Sequence, residues 1–136
     1  MTDSLLDKYA GRRNAKEPDD DDGETVEEPG FGFGWLRGIR DMAIMLEVRH
    51  KDGRLTAFPY SLLDRADFDP STGIRLKFAN VSVCIVGRNL NAEARPNLRL
   101  FEGILRRRVS WIQEADEATA MEARKDAVLI EMVEIK

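Results

Sequence analysis

Between Met42 and Gly87 apolar residues recur at every second position, a period that suits a strand and not a helix. In MAIMLEVRH, Ile44, Leu46 and Val48 fall on one side, and Met45, Glu47 and Arg49 on the other. IRLKF repeats the pattern, with Ile74, Leu76 and Phe78 inward and Arg75 and Lys77 outward. VSVCIVG places Val81, Val83 and Ile85 on one face. Turn chemistry separates the runs. Asp52-Gly53 tolerates positive φ and marks a hairpin, and DPSTG at 69–73 marks a second reversal. RLTAFPYSLL lies between them, with Pro59 confining part of it to an edge or a bulge. These residues predict four antiparallel strands joined as a meander.

After Arg88 the spacing becomes helical. Leu98, Phe101, Ile104, Leu105, Val109 and Ile112 form one stripe on a helical wheel, which predicts a long helix from Pro96 or Asn97 to about Asp116. The final AVLIEMVEI is apolar and β-prone, and is expected to add a fifth strand, paired within the domain or with another chain. The expected class is α+β: a four- or five-stranded antiparallel meander or small barrel, followed by one long packed helix.

Charge divides the chain more sharply than its net value of −4 suggests. Residues 1–30 carry four Lys/Arg against ten Asp/Glu, residues 31–113 fourteen against eight, and residues 114–136 three against seven. A basic module is therefore flanked by acidic ends. KEPDDDDGETVEEPG has too few apolar residues to offset its ordering entropy, so residues 1–30 are read as a disordered acidic tail. Residues 31–116 then form the sheet-plus-helix domain, and residues 117–136 a helical linker and the C-terminal strand. The single cysteine excludes an intramolecular disulfide framework. Neither a secretory signal nor an apolar run of membrane-spanning length is present, and a cytoplasmic protein is expected.

No catalytic signature stands out. His50, the lone histidine, sits beside a turn and is expected at the surface. Cys84 is expected to be a buried structural thiol. Asp64, Asp67 and Asp69 are read as turn-capping carboxylates, with Mg²⁺ binding the remote alternative. A non-enzymatic binding module without cofactor or metal is the expectation. Outward Arg49, Arg75, Lys77 and Arg88 are the candidate nucleic-acid contacts. The aromatic segment Phe31, Phe33 and Trp35, with Arg108 and Trp111 on the helix edge, is the candidate protein interface.

Three consecutive arginines, Arg106, Arg107 and Arg108, look like an anion grip but point in three directions on a helix. Arg106 pairs with Glu102 at i,i+4 and lies near Arg99, Arg107 is polar-facing, and Arg108 falls inside the apolar stripe. An alternative reading joins Arg99 and Arg106, helped by Arg95, in a direct grip on nucleic acid.

VCIVGRNL resembles the isoleucine–arginine–glycine signature of the bacterial Sm-like β-barrel family over Met42–Leu90. Ile85 and Gly87 match it, Val86 takes the arginine position, and Arg88 follows the glycine. The HKDGRLTAF hairpin is similar to that family's first hairpin. The resemblance implies a small Sm-like barrel that forms rings and binds RNA, with loops 69–73 and 87–89 facing the ligand. The partners expected are therefore further copies of the chain, nucleic acid, or a protein bound by an adaptor surface, with no membrane.

Overall fold

In a computed structural model the described residues are 25–27, 32–38, 40–95 and 98–136. About half of them lie in two β-sheets that share one core. The strands are β1 (Thr25–Glu27), β2 (Phe33–Leu36), β3 (Met45–Arg49), β4 (Leu55–Pro59), β5 (Leu63–Asp69), β6 (Gly73–Phe78), β7 (Val81–Arg88), β8 (Glu93–Arg95), β9 (Leu98–Arg99), β10 (Val109–Gln113) and β11 (Leu129–Ile135). Two six-residue helices accompany them, α1 (Leu100–Leu105) and α2 (Glu117–Glu122). One sheet has the order β1-β2-β10-β3-β4, the other β11-β7-β6-β5, and β8 and β9 pair as a small ribbon.

Alternation decides the second sheet. Ile74, Leu76 and Phe78 of β6 and Val83 and Ile85 of β7 are buried, while Arg75 and Lys77 are exposed on the opposite face. The first sheet contributes Phe33, Trp35, Leu46, Val48 and Phe58 to the same core. Phe58 of β4 stacks on Phe78 of β6 with ring centroids 4.9 Å apart, joining the sheets across the interior.

The expected α+β class with one long packed helix is overturned. The residues assigned to that helix divide into β9, α1 and β10, and its expected start at 96–97 lies outside the described residues. The apolar stripe is compatible with either structure. Val109, Trp111 and Ile112 are β-prone, and as a strand they bury their side chains. The meander is corrected as well. RLTAFPYSLL does not run as one strand: the chain leaves β4, makes a 3₁₀ turn at Tyr60–Leu62, and enters β5 in the other sheet. Asp64 and Asp67 lie within strand β5, and Asp69 ends it and caps the turn that follows, accepting from the Ser71 amide and hydroxyl. β1 lies inside the stretch read as a tail and pairs with β2. β11 answers the question of the C-terminal strand, since it pairs antiparallel with β7 of the same chain.

β10 makes the sequence order non-local. It lies between β2 and β3, antiparallel to the first and parallel to the second, with Trp111, Ile112 and Gln113 opposite Glu47, Val48 and Arg49. Strands β5, β6 and β7 of the second sheet therefore lie in sequence between β3 and β10, which are neighbours in space, and β11 follows β10.

Two corners join the sheets. At one, the buried Tyr60 accepts the turn: its N–H donates to Ile44 O at 2.9 Å and its phenol to Val109 O at 2.7 Å. Burial pushes the phenol pKa well above its ordinary value, so it stays a donor. At the other corner, the Ala115 amide donates to Ile130 O at 2.8 Å. Beside it the buried Glu114 carboxylate accepts from the Lys51 amide through Oε1 at 2.9 Å and from the Val133 amide through Oε2 at 2.7 Å.

His50 is buried against this carboxylate, contrary to the surface placement expected of it. Its Nδ1 lies 3.8 Å from Glu114 Oε1, too far for a hydrogen bond. Its Nε2 is buried without a hydrogen-bond partner among the described residues.

Glu114→Gln replaces one acceptor oxygen with a donor NH₂ that opposes a backbone N–H. The expected loss is about 1–3 kcal/mol of unfolding free energy in urea denaturation. Glu131→Gln, at an exposed position, is expected to stay within about 0.5 kcal/mol. Equal midpoints for the two variants would show that the Glu114 hydrogen bonds do not hold the corner.

Candidate binding cleft

The three arginines are explained by how α1 ends. The Arg107 amide donates to Ile104 O at 3.0 Å and the Arg108 amide to Gly103 O at 2.8 Å, with Arg107 at φ 57°. This is the paired hydrogen-bond pattern of a Schellman ending, with Arg106, Arg107 and Arg108 at successive capping positions. A glycine is the usual residue at the left-handed position, and here an arginine occupies it. Gly103 is needed for another reason. A Cβ there would lie 2.8 Å from Val109 Cγ2, so α1 seats on β10 only because position 103 is bare.

Beyond this turn the backbone is fastened to the strand end. Leu36 N donates to Arg108 O and Ala43 N to Arg107 O, each at 2.7 Å. The Arg108 side chain then reaches across: Nη1 donates to Gly38 O at 2.7 Å and Nη2 to Leu36 O at 2.6 Å. A planar fork with several donors can bind two carbonyls at once, which a lysine cannot do with the same geometry.

Arg108 forms part of the wall of a cleft of about 810 Å³. Arg40, Asp41 and Met42 contribute from the segment after β2, Glu93 from β8, and Leu98 and Arg99 from β9. Glu102, Gly103 and Arg106 contribute from α1 and its cap. Arg106 lies 3.7 Å from Glu102, the i,i+4 pair expected from sequence. Arg99 donates Nη1 to Asn91 O at 2.7 Å and lies 4.0 Å from Glu93. Four arginines and three acidic residues thus line one concavity together with Met42 and Leu98. Those ion pairs are exposed and readily exchanged for a ligand's carboxylates.

The predicted nucleic-acid residues do not form one surface. Arg75 and Lys77 neighbour each other on the outer face of β6, but their rows also hold Asp67 and Arg65, which pair at 3.0 Å. Arg88 pairs with Glu131 at 3.4 Å. Arg49 belongs to the other sheet, where its guanidinium stands 4.2 Å over the Trp111 ring and Nε donates to Glu47 at 2.8 Å. Trp111 is consequently buried, although it lies opposite Glu47 and not among the core positions of β3.

Of the predicted protein-contact residues, Phe33 and Trp35 are buried in the core, and Phe31 lies outside the described residues. Cys84 is half-buried on β7, in register with exposed Arg75, where a core thiol was expected. The two loops that the Sm-like resemblance singled out meet around a pocket of about 350 Å³, lined by Ser71, Thr72, Gly87 and Asn89 among others. Among the described residues no basic side chain lines it. Asn89 Nδ2 donates to Lys125 O and Ala127 O, each at 2.9 Å. Asp69 accepts from the Ser71 hydroxyl and amide, which holds its carboxyl below the usual range. Among the described residues no group of three or more His, Cys, Asp or Glu is placed to hold a metal ion.

Sequence reasoning singled out Arg99 and Arg106 as a pair but missed Arg40, Asp41 and Glu93. No local pattern could have supplied them, since they arrive from segments joined only through β2, β8 and β10.

Arg108→Lys and Arg108→Ala are each expected to lose about 2–3 kcal/mol of stability by urea denaturation. Arg106→Ala is expected to lose no more than about 0.5 kcal/mol. Arg107→Gly relieves a left-handed side-chain penalty of about 1 kcal/mol, so its midpoint is expected to rise. Full retention of stability by Arg108→Lys would refute the two-carbonyl role of Arg108. Comparison of the chain with protein-family models, with curated proteins and with solved structures returns no match.

Proposed function

We propose that this chain is a non-enzymatic protein-interaction module whose arginine-lined cleft takes a carboxylate-bearing segment of a partner protein. The observation that carries this reading is the convergence of Arg40, Arg99, Arg106 and Arg108 on one concavity. Guanidinium groups match carboxylates in planar, two-point geometry. The fork of Arg108 is fixed by two backbone carbonyls, so part of the site is organised before a ligand arrives. Met42 and Leu98 give an apolar side chain of the ligand a place to pack.

The carboxylates favour a peptide over a nucleic acid. Asp41, Glu93 and Glu102 interrupt the positive surface and repel a continuous phosphate backbone. A peptide of alternating acidic and apolar residues avoids that repulsion. Arg75 and Lys77 remain the residues through which the competing RNA-binding reading would act.

Fluorescence anisotropy with a labelled peptide of alternating glutamate and leucine tests the proposal against labelled oligouridine. Peptide affinity is expected to fall about tenfold in an Arg99→Ala, Arg106→Ala double variant and to weaken with salt. The Arg75→Ala, Lys77→Ala variant is expected to bind the peptide as the parent does. Salt-sensitive oligouridine binding lost in Arg75→Ala, Lys77→Ala, with no peptide binding, would overturn the proposal in favour of RNA.

A further inference from the structure

Arg106 and Arg108 line the cleft, but Arg107 lines a second pocket of about 290 Å³, and the two cavities share no residue. A pocket of this size stands at the lower end of ligand-holding cavities, which suits a small molecule and not a protein segment. Tyr60 and Leu105 border it beside Arg107, and β5 contributes Leu63, Asp64 and Ala66.

Two features of this wall are costly for the fold alone. Arg107 is half-buried at φ 57°, where a glycine would carry no side-chain strain. Asp64 is the extra residue of a bulge in β5. Leu63 and Arg65 stand opposite the consecutive residues Phe78 and Lys77, which leaves Asp64 without a partner on β6. Arg107 and Asp64 carry opposite charges but do not pair. Among the described residues neither side chain makes a hydrogen bond or an ion pair, whereas Arg65, on the same wall, is held by Asp67 at 3.0 Å. The Tyr60 hydroxyl is already spent on Val109 O. The wall therefore offers one unpaired cation, one unpaired anion and the apolar side chains of Leu63, Ala66 and Leu105, the last 51% exposed.

We propose that this pocket binds a free α-amino acid with an apolar side chain, its carboxylate on Arg107 and its ammonium on Asp64. A guanidinium takes a carboxylate in planar two-point geometry, and an ionised carboxylate accepts from an ammonium. A zwitterion satisfies both poles at once, which neither an inorganic anion nor a simple amine can do. The strain at Arg107 follows from this role, since a glycine would relax the backbone and remove the unpaired guanidinium of that wall.

The test titrates L-leucine into the isotope-labelled full-length chain and follows backbone amide resonances by NMR. Those of Asp64, Arg65 and Arg107 are expected to shift together and saturate, while those of Arg54 and Arg99 stay in place. Isocaproate and isopentylamine, which lack the amine and the carboxyl group of leucine respectively, are each expected to bind about tenfold more weakly. Arg107→Gly and Asp64→Asn are each expected to lose about tenfold in leucine affinity, the first with a raised urea midpoint and the second with its midpoint unchanged. Loss of binding by a variant that has become more stable cannot come from unfolding. Arg106→Ala is expected to bind leucine as the parent does, which separates this pocket from the cleft.

Equal binding of leucine and isocaproate would overturn the zwitterion site in favour of a plain anion site. Leucine shifts that persist in Arg107→Gly, that appear at Arg99 and Arg106 and not at Asp64, or that are absent altogether would overturn the assignment of this pocket.

Discussion

Backbone hydrogen bonds from Arg107 and Arg108 to the carbonyls of Ile104 and Gly103 close α1 and turn the chain back toward β2. Had α1 continued, Val109 and Ile112 would have stayed on a helix, and the slot between β2 and β3 would have been empty. The turn places β10 in that slot, where it completes the first sheet and carries Glu114 to the corner with β11. It also sets Arg108 against Leu36 and Gly38, which fixes the strand end that borders the cleft. Fold and candidate site therefore share one local event, the adoption of a left-handed conformation by a non-glycine residue. Its intrinsic cost of about 1–2 kcal/mol is offset by two helix-end hydrogen bonds and by the tertiary bonds that Leu36 and Ala43 make to the same segment.

That event also limits what could be read from sequence. β6 and β7 were legible because both strands alternate strictly and a two-residue turn separates them. The stop of α1 was not, because the usual glycine signal is missing and the apolar spacing of Leu98 to Ile112 fits a helix and a helix-plus-strand equally well. The division of the meander at Tyr60 was hidden for a related reason. Pro59 flagged an interruption, but period and propensity say nothing about which sheet the chain enters next. Trp111 is the clearest local failure: Arg49 lies over its ring from a strand 62 positions away, and no sequence window contains both.

Burial of His50 and Glu114 shows the same dependence on distant groups. A carboxylate among strands is costly unless its oxygens are satisfied, and the two amides that satisfy Glu114 belong to the β3–β4 turn and to β11. The arrangement exists only once both sheets are in place, so it acts as a check on assembly. An error in the register of β11 would withdraw the Val133 amide and leave a buried carboxylate oxygen without its donor. Polar groups at a seam thus specify pairing more sharply than the apolar residues around them, which tolerate small displacements.

Charge layout was legible as segregation but not as geometry. The sequence separates an acidic N-terminal stretch from a basic middle, and such a pattern is compatible with attraction between the two or with attraction of each to a different partner. Topology supplies the missing direction. Because β1 is antiparallel to β2, Thr25 stands opposite Leu36 and Glu27 opposite Gly34, so β1 begins at the sheet end that borders the cleft. A parallel β1 would have begun beside Phe33, away from Arg108, with identical composition and net charge. Strand polarity, set by backbone hydrogen bonds, therefore decides from which end of the sheet β1 starts, without any change in the residues that carry the charge.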